Sequence, residues 1–156
     1  DIAHALSMIT RATGHFPKFY SVGQHSLNCC CEAEKRGLPK RTVLACLLHD
    51  AAECYISDVT RSVKALFPEY NRLEEKLLDI IYTKFLGSSI TEEEASAVKE
   101  IDDTMLYHEF VCYMDEKLQP VEPVLYSKPD FSVRPFEDVE NEFKEKVKIL
   151  FFDILK

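Results

Sequence analysis

The residues best placed to do chemistry are His49, Asp50 and Glu53, in the run Leu47-Leu48-His49-Asp50-Ala51-Ala52-Glu53. Ionisable groups at the inner end of an apolar helix are costly to bury unless something pairs with them. A divalent cation is one such partner. The His-Asp dipeptide alone is a weak motif: five His and ten Asp in 156 residues supply about 0.3 such pairs by chance. Its surroundings give it weight. Adjacent helical residues project about 100° apart, so His49 and Asp50 can hold an ion between them. Glu53 lies four residues from His49 and three from Asp50, on the same side of the helix.

Partners must come from elsewhere in the chain. His25 lies early on a helical segment; His4, His15 and His108 are the remaining histidines. A lone His on a half-buried helix is more often structural than a ligand. A second acidic pair, Asp102-Asp103, follows Ile101, whose apolar phase puts Asp102 nearer the buried side and Asp103 nearer solvent. Arg61 is a nearby cation whose ordinary reading is a surface charge.

The elements that must position these groups are helical. Apolar residues make up 46% of the chain, enough for a core and too many for disorder. Ile2, Leu6, Ile9 and Thr10 mark a first helix ending near Gly14, followed by a loop over 13–21. Ser21 is a plausible N-cap and Gly37 a C-cap for a second. Pro39 opens a third, strongly apolar helix through Val43, Leu44, Cys46, Leu47 and Leu48, ending near Tyr55. A short helix through Leu66 and one from Pro68 to Gly87 come next. Thr91 with Glu94 forms a capping-box signature for a long helix. Residues 118–136 hold four of the seven prolines and read as an extended surface loop. A last helix covers about 136–155. No strand run or internal repeat is evident. The expected fold is a single all-α domain over 1–156, with six to seven helices.

Composition narrows the partners. A net charge of −8 argues against a phosphate-backbone binder, so no nucleic-acid partner is expected. No apolar stretch approaches the ~20 residues of a membrane span. Cys29, Cys30 and Cys31 are consecutive, which suits neither a disulfide framework nor a C-x-x-C zinc site. With Cys46, Cys54 and Cys112 they read as thiols in a reducing setting. The opening residues lack a signal-peptide pattern, and a cytoplasmic location is expected.

The order His25, His49-Asp50, Asp102 resembles the metal signature of the HD-domain metal-dependent phosphohydrolases. The likeness extends to Asp1-Ile2-Ala3-His4-Ala5-Leu6-Ser7, Phe19-Tyr20-Ser21-Val22-Gly23-Gln24-His25-Ser26, the dyad segment and Val98-Lys99-Glu100-Ile101-Asp102. These segments resemble the branch containing bacterial 5′-deoxynucleotidases and phage deoxynucleotide phosphohydrolases, over about residues 1–112.

The resemblance implies one divalent ion held by His25, His49, Asp50 and Asp102. Two imidazoles and two carboxylates suit Mn, Co, Zn, Fe, Ni or Mg without choosing among them. It further implies that Glu53 handles the nucleophilic water's proton, that Asp58 sits near the leaving group and sugar, and that Lys64, Lys99 and Arg11 approach the substrate. The implied reaction is attack of metal-activated water on the phosphorus of a nucleotide, a (deoxy)nucleoside 5′-monophosphate first, by a homodimer. A triphosphate hydrolase and a non-catalytic metal- or nucleotide-binding module are the alternatives. Cys54 after Glu53 departs from the Glu-Asp pair of the alarmone-hydrolysing branch. The Gly-Tyr-Pro signature of the cyclic-dinucleotide branch is absent.

Overall fold

A computed structural model describes residues 1–154. Six helices carry the fold: α1 (Ile2–Met8), α2 (Val22–Lys35), α3 (Lys40–Leu48), α6 (Pro68–Leu86), α7 (Glu92–Met114) and α8 (Phe136–Ile154). Between α3 and α6 lie two single-turn helices, α4 (Glu53–Ile56) and α5 (Arg61–Lys64). The protein is all-α, with no strand among the described residues. The expected extension of the last helix to residue 155 lies outside them.

α3 is the hub. Every residue from Thr42 to Leu48 is buried, and α2, α6, α7 and α8 all pack on this helix. A helix apolar all round is stable only when enclosed. α1 reaches α2 through Gly23, where a Cβ would meet the Leu6 carbonyl and the Ser7 nitrogen at 3.1 Å. Any larger residue there would push the two helices apart.

Two boundaries differ from the sequence expectation, and both shape the site. α1 ends at Met8, not near Gly14: Ile9 is extended, and its carbonyl accepts from the Val22 N–H at 2.9 Å. Thr10 and Ser21 form an isolated antiparallel bridge. β-Branched Ile9 and Thr10 tolerate extended backbone, and this pairing takes the N–H and C=O groups that another helical turn would use. A short 3₁₀ turn, Arg11–Gly14, follows, with Ala12 (φ 54°) and Thr13 (φ 52°) left-handed.

The second difference is at the dyad. α3 stops at Leu48 rather than near Tyr55, and residues 49–52 form a tightened turn. Ala51 N–H donates to Leu48 C=O at 2.9 Å and Glu53 N–H to Asp50 C=O at 3.0 Å. These three-residue steps wind more tightly than an α-helix and spread successive side chains further around the axis.

The proline-rich segment is not helical, as expected, and it is strapped down. Gln24, Asn28 and Glu32, one turn apart on α2, bind its backbone. Gln24 Nε2 donates to the carbonyls of Asp130 (2.8 Å) and Ser132 (2.9 Å). Asn28 exchanges hydrogen bonds with Asp130 N–H and C=O, both at 3.0 Å. Glu32 accepts from the N–H groups of Tyr126 (3.1 Å) and Ser127 (2.8 Å). The six cysteines are free thiols; Cys29, Cys30 and Cys46 are buried.

Candidate metal centre

α2, the turn after α3, and α7 bring the four expected ligands to one point. His25 Nε2 lies 3.2 Å from His49 Nε2, 3.2 Å from Asp102 Oδ1 and 3.6 Å from Asp50 Oδ2. His49 Nε2 lies 3.3 Å from Asp50 Oδ2 and 3.7 Å from Asp102 Oδ1. Donor atoms about 2.0–2.2 Å from a shared tetrahedral ion stand about 3.3–3.6 Å apart. The observed separations bracket that range. The donor set, two imidazole nitrogens and two carboxylate oxygens, is one that divalent transition metals accept.

Hydrogen bonds behind the ligands orient them. His49 Nδ1 lies 2.7 Å from the Cys46 carbonyl, and that contact requires the proton on Nδ1. His25 Nδ1 lies 2.5 Å from Glu109 Oε1, inside the core. Both rings thus turn Nε2 toward the shared point, the usual support of metal-ligating histidines. Glu109 Oε1 also accepts from the Tyr20 hydroxyl at 2.9 Å, and Asn28 Nδ2 donates to that hydroxyl at 3.0 Å.

Arg11 closes the cluster. Its Nη1 donates to Asp50 Oδ2 and its Nη2 to Asp102 Oδ1, both at 3.0 Å, while Nε reaches Glu109 Oε2 at 3.4 Å. The left-handed turn after it is pinned by Thr13 N–H donating to Asp58 Oδ2 at 3.2 Å. Asp58 therefore holds the Arg11 turn against the segment that follows α4. The side chains of Asp50 and Asp102 are 14% and 21% exposed, so the cluster opens to solvent on their side.

Burial would raise Asp102, but hydrogen bonds from His25 and His49 and the Arg11 charge outweigh it and hold the carboxyl well below its usual range. For His49, burial works downward, yet Asp50 and Asp102 prevail and raise it. His25 is also raised: burial and Arg11 oppose the shift, and Cys29, Glu109 and the bond to Asp102 win. Two Nε2 atoms 3.2 Å apart cannot both point a proton at each other. At most one of them carries a proton between the rings, and coordination requires both nitrogens to be bare. Raised imidazoles add stability below their ordinary pKa, and that stability is lost as pH rises through the raised value. Metal affinity runs the other way and rises with pH. Loading zinc at pH 7 should release protons; calorimetry in buffers of different ionisation enthalpy counts them, and no buffer dependence would refute proton displacement from the site.

Glu53 lies beyond the ligands and is 1% exposed. Burial, then the charges of Asp50 and Asp58, push its carboxyl up to about 9 against Arg11 and Lys64. Lys64 Nζ stands 3.5 Å from Glu53 Oε1 and 2.6 Å from Glu74 Oε1. Glu53 Oε2 has no protein partner. Lys99 sits apart from this group: it is 69% exposed and pairs with Asp103 at 2.6 Å. Arg61 is the cation that reaches the rim, 3.4 Å from Asp102 Oδ2 and 2.9 Å from Asp103 Oδ1. His4 and His108 are engaged elsewhere, with Glu140 at 2.8 Å and the Pro123 carbonyl at 3.0 Å.

Sequence reasoning missed three contributors. Glu109 follows Asp102 by seven residues, two helical turns, so it shares that face of α7; this spacing was a readable signal. Tyr20 had no such signal. Cys29 follows His25 by four, and His25, Cys29 and His49 place one ligand atom each within 4.8 Å of one another.

No protein-family model matches the chain. It is 40% identical over 85 residues to the uncharacterized protein YfdR of Escherichia coli K12, covering 54% of this chain and 45% of that protein. It is 35% identical over 92 residues to an uncharacterized protein of Rhodobacter capsulatus, covering 54% of this chain and 46% of the relative. The chain thus spans a little under half the length of the curated relatives it matches. No helix among the described residues is long and apolar enough to cross a membrane.

Proposed function

We propose that this protein is a divalent-metal-dependent phosphohydrolase acting on nucleotides, (deoxy)nucleoside 5′-monophosphates first. The observation that carries the reading is the mutual spacing of His25 Nε2, His49 Nε2, Asp50 Oδ2 and Asp102 Oδ1, each imidazole held from behind. Buried charge of this density is expensive without a cation to pair with it, and a structural role alone leaves the shared focus of four donors unaccounted for.

His25, His49, Asp50 and Asp102 would hold the ion. Bound there, it supplies a Lewis acid for a phosphoryl oxygen and lowers the pKa of water. The remaining work falls to the protein's own groups. Phosphoryl transfer is catalysed mainly by positioning and charge stabilisation. Arg11 is anchored by three carboxylates, so its place is fixed before any substrate arrives. Lys64 lies between Glu53 and Glu74 and can present its charge to phosphate on the Glu53 side. Glu53 moves the proton. Its uncomplexed Oε2 is free to meet a water or a leaving oxygen, and a cation on the Asp50 side draws its pKa back toward the working range. Asp58 keeps the Arg11 turn in register.

The test is a phosphate-release screen over ribo- and deoxynucleoside mono-, di- and triphosphates, with added Mn, Co or Zn and with chelator. The expected result is chelator-sensitive release of inorganic phosphate, strongest from monophosphates. Release of intact triphosphate would move the substrate to the nucleoside triphosphates. Tight metal binding with no turnover of any nucleotide would reject catalysis and leave a binding module.

A further inference from the structure

Cys29 is not explained by the four-ligand centre. It lies four residues after His25 on α2, so the two share a face, and it is 1% exposed. Its Sγ stands 3.5 Å from His25 Nε2, and both atoms lie within 4.8 Å of a ligand nitrogen of His49. A thiolate at about 2.3 Å and an imidazole at about 2.0–2.1 Å from one tetrahedral ion are about 3.5 Å apart. Cys29 therefore stands at ligand spacing from His25 and within reach of the same point as His49. Its neighbours Cys30 and Cys31 project about 100° and 200° further round the helix, away from this face.

We propose that Cys29 is a thiolate ligand of the same centre, taking the place of one of the two carboxylates around a four-coordinate ion, and that it makes the site select a thiophilic ion such as zinc or cobalt over manganese or magnesium. This rests on the metal-centre reading above. On loading, a coordinate bond forms between Sγ and the ion, the S–H bond breaks and its proton passes to solvent; no electrons change hands. The local charges accommodate the thiolate. Asp50, Asp102, Glu109 and Cys29 bring four negative charges. The ion's two charges and the guanidiniums of Arg11 and Arg61, both in contact with these carboxylates, match them. Soft thiolate donors favour zinc, whereas carboxylate and water suit manganese and magnesium.

The experiment loads the metal-free full chain with cobalt(II) and reads its absorption spectrum, beside Cys29→Ala, Cys29→Ser and Cys30→Ala. Expected is an intense near-ultraviolet thiolate-to-cobalt charge-transfer band in the parent and in Cys30→Ala, lost in both Cys29 variants. The Cys29 variants should retain the weaker visible cobalt bands of a His- and Asp-ligated ion. Competition dialysis should show the zinc-over-manganese preference falling at least ~10-fold in Cys29→Ala, since one ligand contributes at least that much. Cobalt bound without the charge-transfer band, or a band that survives Cys29→Ala, overturns the thiolate and leaves the four-ligand centre standing. No cobalt bound to the folded parent overturns both. A phosphate screen with no turnover beside a Cys29-dependent band rejects the hydrolase and keeps the thiolate.

Discussion

Glu53→Gln should cut phosphate release steeply while making the metal-free protein more stable at neutral pH. The two effects have one cause. Glu53 is buried among carboxylates, and its proton is held up to about 9 against an ordinary 4.5. A group whose folded pKa is raised contributes fully below its ordinary pKa, and that contribution is lost as pH climbs to the folded value. Between pH 4.5 and 7 the parent therefore loses stability relative to a neutral isostere, on the order of 2–3 kcal/mol at 1.36 kcal/mol per pH unit. Glutamine keeps the shape and never ionises. Lys64 retains Glu74 at 2.6 Å when the Glu53 charge is gone. Denaturant titrations in chelator should show the variant's advantage opening between pH 4.5 and 9. Turnover should fall by about 10²–10⁴, the usual worth of a positioned acid or base, with the metal retained. A variant that turns over at the parent rate would sink the proton-handling role. One whose advantage over the parent is no larger at pH 8 than at pH 4.5 would sink the account of its burial.

The candidate ligands are more legible in the sequence than the groups that support them. His49-Asp50 stood at the end of an apolar run, and the Ile101 phase chose Asp102 over Asp103; the geometry brings together the residues so chosen. Both cues are one-dimensional, because apolar periodicity reports which side of a helix is inside. Helix ends were harder. Ile9 and Thr10 continue the helical pattern of α1, yet a tertiary pairing takes the Ile9 carbonyl to Val22 N–H and the Arg11 N–H to the Tyr20 carbonyl, and no local propensity announces it. The left-handed Ala12 and Thr13 that follow are equally invisible, since neither residue type advertises φ above zero. That turn carries Arg11, and the structure ties its guanidinium to three carboxylates. Lys99 and Arg61 illustrate the same limit. Lys99 lies on α7 and Arg61 on the single-turn α5, and where α5 comes to rest gives the rim position to Arg61.

Glu109 is the position where removing one side chain should cost most. Its carboxylate, fully buried, receives His25 Nδ1 at 2.5 Å, the Tyr20 hydroxyl at 2.9 Å and Arg11 Nε at 3.4 Å. Burial raises it, and the charges of His25 and Arg11 with the hydrogen bonds from His25 and Tyr20 lower it further than burial lifts it. Glu109→Ala leaves three donors facing a small void, one of them part of a guanidinium. Breaking a buried charge pair in this way costs about 3–5 kcal/mol, so a sharp fall in thermal stability is expected. That variant alone would not separate folding from metal binding. Glu109→Gln does. It preserves volume and one acceptor oxygen, so the fold should survive with a loss of about 1–3 kcal/mol, the cost of leaving one buried donor unpaired. The ligand His25 loses its anionic support, and affinity for zinc should drop 10- to 100-fold, as it does when the partner behind a ligating imidazole is removed. The drop should be smaller at low pH, because Glu109 raises His25 and proton competition for that ring then weakens the parent more than the variant. Tyr20→Phe supplies the comparison: it removes one donor from the same carboxylate and leaves His25 supported, so zinc affinity should change less than 3-fold, about 0.6 kcal/mol. Calorimetric titration of the three proteins decides the matter. A Glu109→Gln protein that folds and binds zinc as tightly as the parent would show that His25 needs no anionic support, and would return Glu109 to the core as a partner of Arg11 and Tyr20 alone.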